Sequence, residues 1–276
     1  MARVDTANRV RYWRDRRVPG LFLLHADFTR HDYVPHVHEA LVVAVTEAGG
    51  SQFHSRGQTQ ETRDAAVMVF NPLEPHSGRM GASERWRYRS FYLRQPALDH
   101  VAALVGDGAF PGFTTNLIPD AGLAASFLAL HAALDTGGDP MRAEELLAAS
   151  FGRLMAGHGS GHRRPAPPRR DPAAIAPALT LIRDEYGRRL ALDELGRASG
   201  LTAFQLIRLF KRATGLTPHG YLTQVRLDAA IRRLEGGTPP AEAAVAAGFY
   251  DQSALTRHFK RAYGITPQRY ARTIRG

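Results

Sequence analysis

The sequence of 276 residues contains no cysteine, which excludes disulfide bonds and thiolate chemistry. It contains no apolar run of about 18 residues, roughly the minimum for a helix that crosses a membrane. The first residues are basic and lack the apolar core of a secretory signal. We therefore expect a cytoplasmic protein that has no membrane partner.

Lysine is also scarce, since only Lys211 and Lys260 occur among the 36 basic residues. The formal net charge of +10 is unevenly distributed, because residues 1–156 carry −1, residues 157–172 carry +3 and residues 173–276 carry +8. A strongly basic half is typical of a domain that binds a polyanion such as nucleic acid. Residues 157–172 combine glycine, proline and arginine, and this composition predicts a flexible linker.

The two lysines belong to a segment that occurs twice. Residues 206–221 and 255–270 are identical at ten of sixteen positions, at a spacing of 49. In each copy apolar side chains recur at helical spacing, and a glycine followed by Thr-Pro predicts that this helix ends and another begins. Shorter helical patterns at 192–200 and 240–248 precede the copies, with one additional residue in the second turn. Each copy therefore predicts a helix-turn-helix motif.

The repeated Phe-Lys-Arg and Gly-x-Thr-Pro-x-x-Tyr pattern, within residues 173–274, resembles the DNA-binding domain of the AraC/XylS family of transcription regulators. The resemblance implies that helices 203–214 and 252–263 each enter a major groove. Arginine there suits guanine, glutamine suits adenine, and apolar side chains suit a thymine methyl group. As alternatives, the lysines could be solvated surface charges and Phe204 a core aromatic. The implied DNA contacts are Phe204, Ile207, Arg208, Lys211, Arg212, Gln252, Ser253, Thr256, Arg257, Lys260 and Arg261.

The first half has a β-rich pattern. Residues 1–18 are polar and basic and are expected to form a flexible arm. Short apolar runs separated by Gly, Pro and Asn then predict a β-sandwich or a small barrel. In the last run Trp86, Tyr88, Ser90 and Tyr92 share one strand face. The predicted strands cover residues 21–28, 40–46, 51–54, 65–70 and 86–93.

Two histidine motifs, Pro-His-Val-His-Glu at 35–39 and Pro-Leu-Glu-Pro-His at 72–76, resemble the cupin-like sensor barrel of the same family. The family pattern has glycine at the position of Leu73. The resemblance implies an α+β chain with a cupin-like β-barrel and flanking helices at 1–156, the linker at 157–172, and an all-α tandem helix-turn-helix domain at 173–276.

The histidines have three interpretations. They could ligate a metal ion, although valine replaces the carboxylate that usually follows the second histidine in cupin enzymes. They could hydrogen-bond within the barrel and hold its loops. We favour an effector pocket, and we expect no metal or other cofactor. The predicted effector-binding residues are His36, His38, His76, Trp86 and Tyr88.

A predicted helix after the barrel carries a narrow apolar seam of Leu123, Phe127, Leu130 and Leu134. The seam could pair two chains into a homodimer, or it could cover the barrel. Together, these features predict a ligand-responsive transcription regulator and activator rather than an enzyme. Its expected partners are double-stranded DNA, a small-molecule effector, RNA polymerase and a second copy of the chain. The alternative is a metal-dependent cupin enzyme with a DNA-binding tail.

Overall fold

The computed structural model describes residues 8–106, 110–136, 140–160 and 173–275. Among these residues, no helix is both long and apolar enough to cross a membrane. The strands are β1 (Arg9–Arg14), β2 (Leu21–Phe28), β3 (Asp32–His36), β4 (Leu41–Gly49), β5 (Ser51–Ser55), β6 (Gln58–Thr62), β7 (Val67–Phe70), β8 (His76–Met80), β9 (Trp86–Leu93) and β10 (Leu117–Ile118). The α-helices are α1 (Gln95–Val105), α2 (Ala121–Thr136), α3 (Pro140–His158), α4 (Ala176–Glu185), α5 (Leu192–Ser199), α6 (Ala203–Thr214), α7 (Pro218–Glu235), α8 (Pro240–Ala246), α9 (Gln252–Tyr263) and α10 (Pro267–Arg275).

The described residues form two compact units, and the predicted α+β class is confirmed. One unit contains those within 1–32 and 38–166, and the other contains those within 33–37 and 167–276. Strand β3 falls at the boundary of this division, but it belongs to the four-stranded sheet by its hydrogen bonds, so we describe it there. The first unit is therefore a two-sheet β-structure with three helices, and the second is helical.

The β-structure consists of a six-stranded sheet, in the order β1-β2-β9-β4-β7-β10, and a four-stranded sheet, in the order β3-β8-β5-β6. Strand β9 is central in the larger sheet, where it pairs antiparallel with β2 and β4. The rings of Phe53 on β5 and Phe70 on β7 meet at 5.3 Å, so the sheets face each other. We call the facing sides the inner faces, and the space between them the barrel interior.

The larger sheet is buried on both sides. Leu21 and Leu23 of β2 pack on the outer face with the helices, whereas Phe22 and Leu24 are buried on the inner face. This double burial explains why β2 and β4 read as continuous apolar runs rather than as alternating ones. The predicted alternation of β9 is confirmed, because Trp86 stacks on Tyr88 on the inner face, whereas Phe91 packs on the outer face in the core with the helices.

Helices α1 to α3 cover the outer face of the larger sheet. The apolar seam of α2 is buried in this core, with Phe127 lying 5.0 Å from Phe151 of α3 and 5.5 Å from Phe91 of β9. Burying each such side chain is worth about 1.5–3 kcal/mol, so the seam would be costly to expose. The interpretation of the seam as a cover for the barrel is confirmed, and the seam does not offer a dimer surface.

The expected flexible arm at 1–18 is wrong for its described part. Residues 9–14 form β1, which pairs antiparallel with β2. Val10 and Tyr12 are buried, and the Tyr12 ring lies 5.8 Å from Phe22. Arginines at the exposed positions hid this alternation, although Arg11 itself lies over the Trp13 ring at 4.2 Å. Residues 1–7 lie outside the described residues.

The predicted linker at 157–172 is also partly wrong. Helix α3 continues to His158, and Ser160 then donates two hydrogen bonds to the carbonyl of Gly112, from its backbone nitrogen at 2.9 Å and its hydroxyl at 2.6 Å. Residues 157–160 are therefore packed on the first unit. The rest of the predicted linker, residues 161–172, lies outside the described residues.

The helical unit contains two helix-turn-helix motifs, α5–α6 and α8–α9, separated by α7. Thr202 and Asp251 cap α6 and α9 by accepting hydrogen bonds from backbone nitrogens of the first turn. Gly215 and Gly264 end these helices in the left-handed conformation, with φ of 76° and 72°. Both helices have the bounds that the family resemblance implies. Thr217 caps α7, as its Thr-Pro pair predicts.

Candidate functional site

Helix α6 presents four of its five predicted DNA contacts to solvent. Ile207, Arg208, Lys211 and Arg212 are exposed, whereas the opposite face is anchored by fully buried side chains such as Phe210. Ile207 is 38% exposed, so an apolar contact to DNA is available to it. The side chain of Phe204 lies outside the described residues, and its role stays a prediction.

Helix α9 presents the corresponding surface of the second motif. Leu255 and Phe259 are fully buried, which fixes the opposite face outward. Thr256 is only half-buried, so it is less available for DNA than the sequence pattern implies. The exposed predicted contacts are Gln252, Ser253, Arg257, Lys260 and Arg261.

The cations on these two faces have no carboxylate partner among the residues that the structure describes. In the described part of the chain, none of the six lysines and arginines of α6 and α9 forms an ion pair with a carboxylate. Arg188, by contrast, pairs with both Glu185 and Glu194. Burial lowers the pKa of His258 on α9, and neighbouring cations, with Arg257 foremost, lower it further. The positive potential that disfavours a protonated His258 would attract phosphates.

Helix α7 and the turn before α9 contact the segment between α4 and α5, which the sequence did not reveal. Arg226 of α7 donates hydrogen bonds to the carbonyls of Tyr186, at 2.8 Å, and Arg188, at 2.7 Å. Gly248, in the turn before α9, has a φ of +83°, and a Cβ there would lie 2.5 Å from the Tyr186 carbonyl oxygen. The turn of the second motif therefore lies directly against the end of α4, a close approach that requires glycine.

Two aromatic side chains at the start of β9 lie on its inner face, toward the barrel interior. Trp86 stacks on Tyr88 at 4.3 Å, and Phe28 lies within 6.3 Å of both rings. Trp86 and Tyr88 are buried. These aromatic surfaces could pack against an apolar or planar ligand.

The predicted histidines lie together, near the other end of β9. Ring nitrogens of His36, His38 and His76 lie within 4.8 Å of one another. His38 meets the Tyr92 ring edge-on at 5.1 Å, and His76 stacks on Phe70 at 4.1 Å. Burial lowers the pKa of His76, and a hydrogen bond to the carbonyl of Glu74 partly offsets this effect. His76 is therefore expected to be neutral at neutral pH.

The five predicted effector residues do not form a single compact cluster. Trp86 and Tyr92 are six positions apart on one strand, which corresponds to about 20 Å. Because His38 contacts Tyr92, the histidines lie at one end of this distance and Trp86 at the other. A ligand of one or two rings would contact one group or the other.

Glu74 carries a structural role that the sequence did not indicate. Its buried carboxylate accepts hydrogen bonds from Ser55 at 2.8 Å, Arg56 at 2.6 and 2.9 Å, Asn71 at 2.7 Å and Asn116 at 2.6 Å. Burial alone would raise the pKa of Glu74, but these donors hold it below its ordinary value. We call these five residues the Glu74 cluster. It joins the β5–β6 hairpin, the turn at 71–74 and the segment before β10.

The turn that carries Glu74 also contains Leu73, at the position where the family pattern has glycine. Leu73 has a φ of 60°, and its side chain is 60% exposed. The carbonyl of Asn71 accepts a hydrogen bond from the backbone of Glu74, so Pro72 and Leu73 are the central residues of a β-turn. The third position of such a turn favours glycine. Leu73 therefore adopts a left-handed conformation that favours glycine.

Comparisons with known proteins agree with this architecture. Residues 18–151 match the family model described as AraC-like ligand binding domain, and residues 195–273 match the model described as Helix-turn-helix domain. The Bacillus subtilis (strain 168) protein "Uncharacterized HTH-type transcriptional regulator YbfI" is 26% identical over 222 residues, which are 80% of each chain. The "Regulatory protein ada" of Salmonella typhimurium is 38% identical over 84 residues, 30% of this chain and 23% of that protein.

Solved structures of ToxT from Vibrio cholerae are similar in fold over nearly all of this chain. A 1.65 Å structure of ToxT has a TM-score of 0.52 at 9% identity and covers 98% of this chain and 100% of its own. A structure of ToxT bound to an unsaturated fatty acid has a TM-score of 0.54 at 10% identity, with 99% and 98% covered. At this identity the likeness concerns the fold alone.

Proposed function

Since this chain is a member of the AraC family of transcriptional regulators, with a ligand-binding domain and a helix-turn-helix DNA-binding domain, we propose that α6 and α9 read two stretches of one DNA duplex. In this proposal Arg208, Arg257 and Gln252 contact base edges in the major groove. Lys211 and Lys260, with the arginines that follow them, contact phosphates. Ile207 supplies an apolar contact.

One observation carries this proposal. The two helices are equivalent copies, and each exposes three cations that are not paired with carboxylates among the described residues. Exposed like charges repel one another, so a cluster of them is unfavourable in the free protein. The cluster favours binding of a polyanion, because the counterions of the polyanion are then released. A basic surface that served only solubility would not need to recur at matched positions of both copies.

The test compares a base contact with a phosphate contact. A duplex selected from random DNA by the purified protein serves as the specific site, and a shuffled duplex serves as the reference. We expect Arg257→Ala to lose about 1–3 kcal/mol on the selected duplex and little on the shuffled one. Lys211→Ala should weaken both alike and reduce the salt slope by about 1. Arg233→Ala, which removes an exposed cation from α7, is the control. Equal losses on both duplexes would remove Arg257 from the base-reading set.

We further propose that a small molecule binds in the barrel interior and biases the chain toward its DNA-binding form. The buried aromatic inner face supports this proposal, since Trp86 stacks there on Tyr88. Fatty acids belong among the candidates, because one ToxT structure carries an unsaturated fatty acid. An effector at 100 times its Kd should stabilise the protein by about 2.7 kcal/mol. A compound whose stabilisation survives both Trp86→Phe and His38→Ala would bind elsewhere.

A metal ion at the histidines is a second candidate that a specific observation favours. Nδ1 of His36 lies 2.7 Å from the Val34 carbonyl oxygen, and Nδ1 of His76 lies 2.8 Å from the Glu74 carbonyl oxygen. Because carbonyl oxygens only accept, both rings hold the proton on Nδ1 and direct the Nε2 lone pair elsewhere, as in metal sites. Metal analysis of untagged protein and of His38→Ala tests this idea. Less than a tenth of an equivalent after loading with zinc would exclude it.

Several finer expectations stay proposals. We propose that the chain acts by binding rather than catalysis, since both matched families are binding domains. Dimer formation would have to use a surface other than the seam of α2, because that seam lies in the core of the chain. Contact with RNA polymerase, activation and a cytoplasmic location follow from the family resemblance. Sedimentation of the protein with and without DNA tests the dimer directly.

A further inference from the structure

The two helix-turn-helix motifs differ by one inserted residue, and the structure identifies it as Tyr250. In both turns a left-handed glycine comes first, Gly200 with a φ of 63° and Gly248 with a φ of 83°. In both turns a capping residue comes last, and its side chain accepts a hydrogen bond from the backbone of the new helix. Leu201 alone lies between these points in the first motif. Phe249 and Tyr250 lie there in the second.

The inserted tyrosine is not part of the core. Phe249 is buried, with 8% of its surface exposed, and its ring lies 5.8 Å from His258, so it takes the place of the half-buried Leu201. Tyr250 is 93% exposed. The first motif reaches its capping residue without an insertion, so the turn does not need this residue to close. An aromatic side chain left almost wholly in water gains nothing from burial in this chain.

Tyr250 lies immediately before α9, the second helix proposed to contact bases. Tyr250 precedes the capping residue Asp251, and Gln252, the first residue of α9, is a proposed base contact. In helix-turn-helix complexes the N-terminal residues of the second helix reach base edges, while residues around them contact the backbone at the rim of the groove. Tyrosine hydroxyls are among the common donors to phosphate oxygens. Phosphate is also the partner that the unpaired cations of α9 would attract.

We propose that the hydroxyl of Tyr250 donates a hydrogen bond to a DNA phosphate at the rim of the groove that α9 occupies. This inference rests on the proposed DNA-binding role of α9. The contact positions the second helix and carries no sequence information. Because tyrosine is uncharged, its contact with a phosphate releases no counterion. Removing the hydroxyl should therefore lower the affinity without changing its salt dependence. The first motif lacks an equivalent residue, so the two helices would grip the backbone unequally.

The test uses Tyr250→Phe, which removes only the hydroxyl, and Tyr250→Ala, which also removes the ring. At such an exposed position both variants should fold, and circular dichroism checks this. We expect Tyr250→Phe to bind about 3- to 10-fold more weakly, equally on the selected and shuffled duplexes, with an unchanged salt slope. Tyr250→Ala should lose at least as much. Lys260→Ala, a charged contact by the same proposal, should reduce the slope by about 1.

Three results would overturn the inference. Wild-type affinity of Tyr250→Phe would show that the hydroxyl makes no contact. A loss confined to the selected duplex would assign Tyr250 to base recognition. Unchanged DNA binding of Tyr250→Ala together with reduced transcription in vitro would assign the ring to a protein partner. If Arg257→Ala also fails to discriminate between the duplexes, the DNA-reading role of α9 itself is wrong. If it discriminates, only the role of Tyr250 is rejected.

Discussion

Replacing Glu74 by glutamine should substantially destabilise the first unit, which we call the β-unit, although glutamine has nearly the same shape as glutamate. One carboxylate oxygen accepts from Ser55, Arg56 and Asn116, and the other accepts from Arg56 and twice from Asn71. Glutamine keeps only one acceptor oxygen, so its amide group would face donors. Removing one partner of a buried ion pair costs about 3–5 kcal/mol. We expect the lower end, about 3 kcal/mol, because Arg56 also donates to the carbonyls of residues 113 and 114.

Tryptophan fluorescence can report this effect selectively, because Trp13 and Trp86 are the only tryptophans and both lie in the β-unit. A loss of about 3 kcal/mol corresponds to a Tm lower by about 6–12 °C for a unit of this size. Glu84→Gln, the same change at an exposed position of the same unit, is the matched control. If the two variants unfold at the same temperature, the Glu74 cluster does not stabilise the fold.

The pH dependence gives an independent check. The folded-state pKa of Glu74 is held below the ordinary value of 4.5, so the carboxylate contributes its full stabilisation above that pH. The contribution is lost as the pH falls through the folded-state pKa, where the carboxylate takes up a proton. The difference in stability between the wild type and Glu74→Gln should therefore be constant above about pH 5 and shrink below about 4.5. A difference that stays constant down to pH 3 would contradict the ionic origin.

Two further substitutions test backbone conformation. Leu73→Gly should stabilise the β-unit by about 0.5–1 kcal/mol in the same fluorescence assay. The relief of left-handed strain should exceed the extra conformational entropy that glycine gives the unfolded chain, and little burial is lost because Leu73 is mostly exposed. A lower midpoint would show that the exposed leucine packs usefully. Gly248→Ala should destabilise the helical unit by at least about 2 kcal/mol, seen by circular dichroism, because its φ is +83° and its Cβ would lie 2.5 Å from the Tyr186 carbonyl oxygen. Gly236→Ala, with ordinary contacts of 3.5 Å, is the control, and equal effects would argue against the close approach.

The helices of the second unit were predictable because their signals are local. Gly215 and Gly264 mark the ends of α6 and α9 in the sequence, whereas the family resemblance implied their starts, and the structure shows that Thr202 and Asp251 cap them. A fully buried face at helical spacing lies between these marks. Capping, periodicity and turn chemistry agree, and under that condition sequence patterns define helix bounds well.

Strands with weaker local signals were missed. In β1, arginines occupy the exposed positions and Trp13 follows Tyr12 directly, so the alternation of Val10 and Tyr12 is obscured in a basic segment. Strand β6 is almost wholly polar, and β8 contains glycine and serine. Their positions depend on pairing with neighbouring strands, and pairing partners that are distant in the chain leave no local pattern.

The candidate effector set was predicted by residue type but not by arrangement. The histidines were expected to lie close together, and they do. Trp86 and Tyr88 were included as aromatic side chains that could line a pocket, but the strand register places His38 next to Tyr92 rather than next to Trp86. The Glu74 cluster was missed for a related reason, since Asn116 lies 42 residues from Glu74 in sequence.

The strained turn and the histidines are mechanically linked, which gives Leu73→Gly a second consequence. The backbone nitrogen of Leu73 donates to the carbonyl of His38 at 2.7 Å, and the carbonyl of Glu74 accepts from Nδ1 of His76 at 2.8 Å. One turn therefore sets the spacing of both histidines. Strain is often retained where it holds a binding group in place. If Leu73→Gly raises stability but weakens the response to an effector, the leucine serves ligand binding. If both stability and response improve, the leucine is only a tolerated substitution.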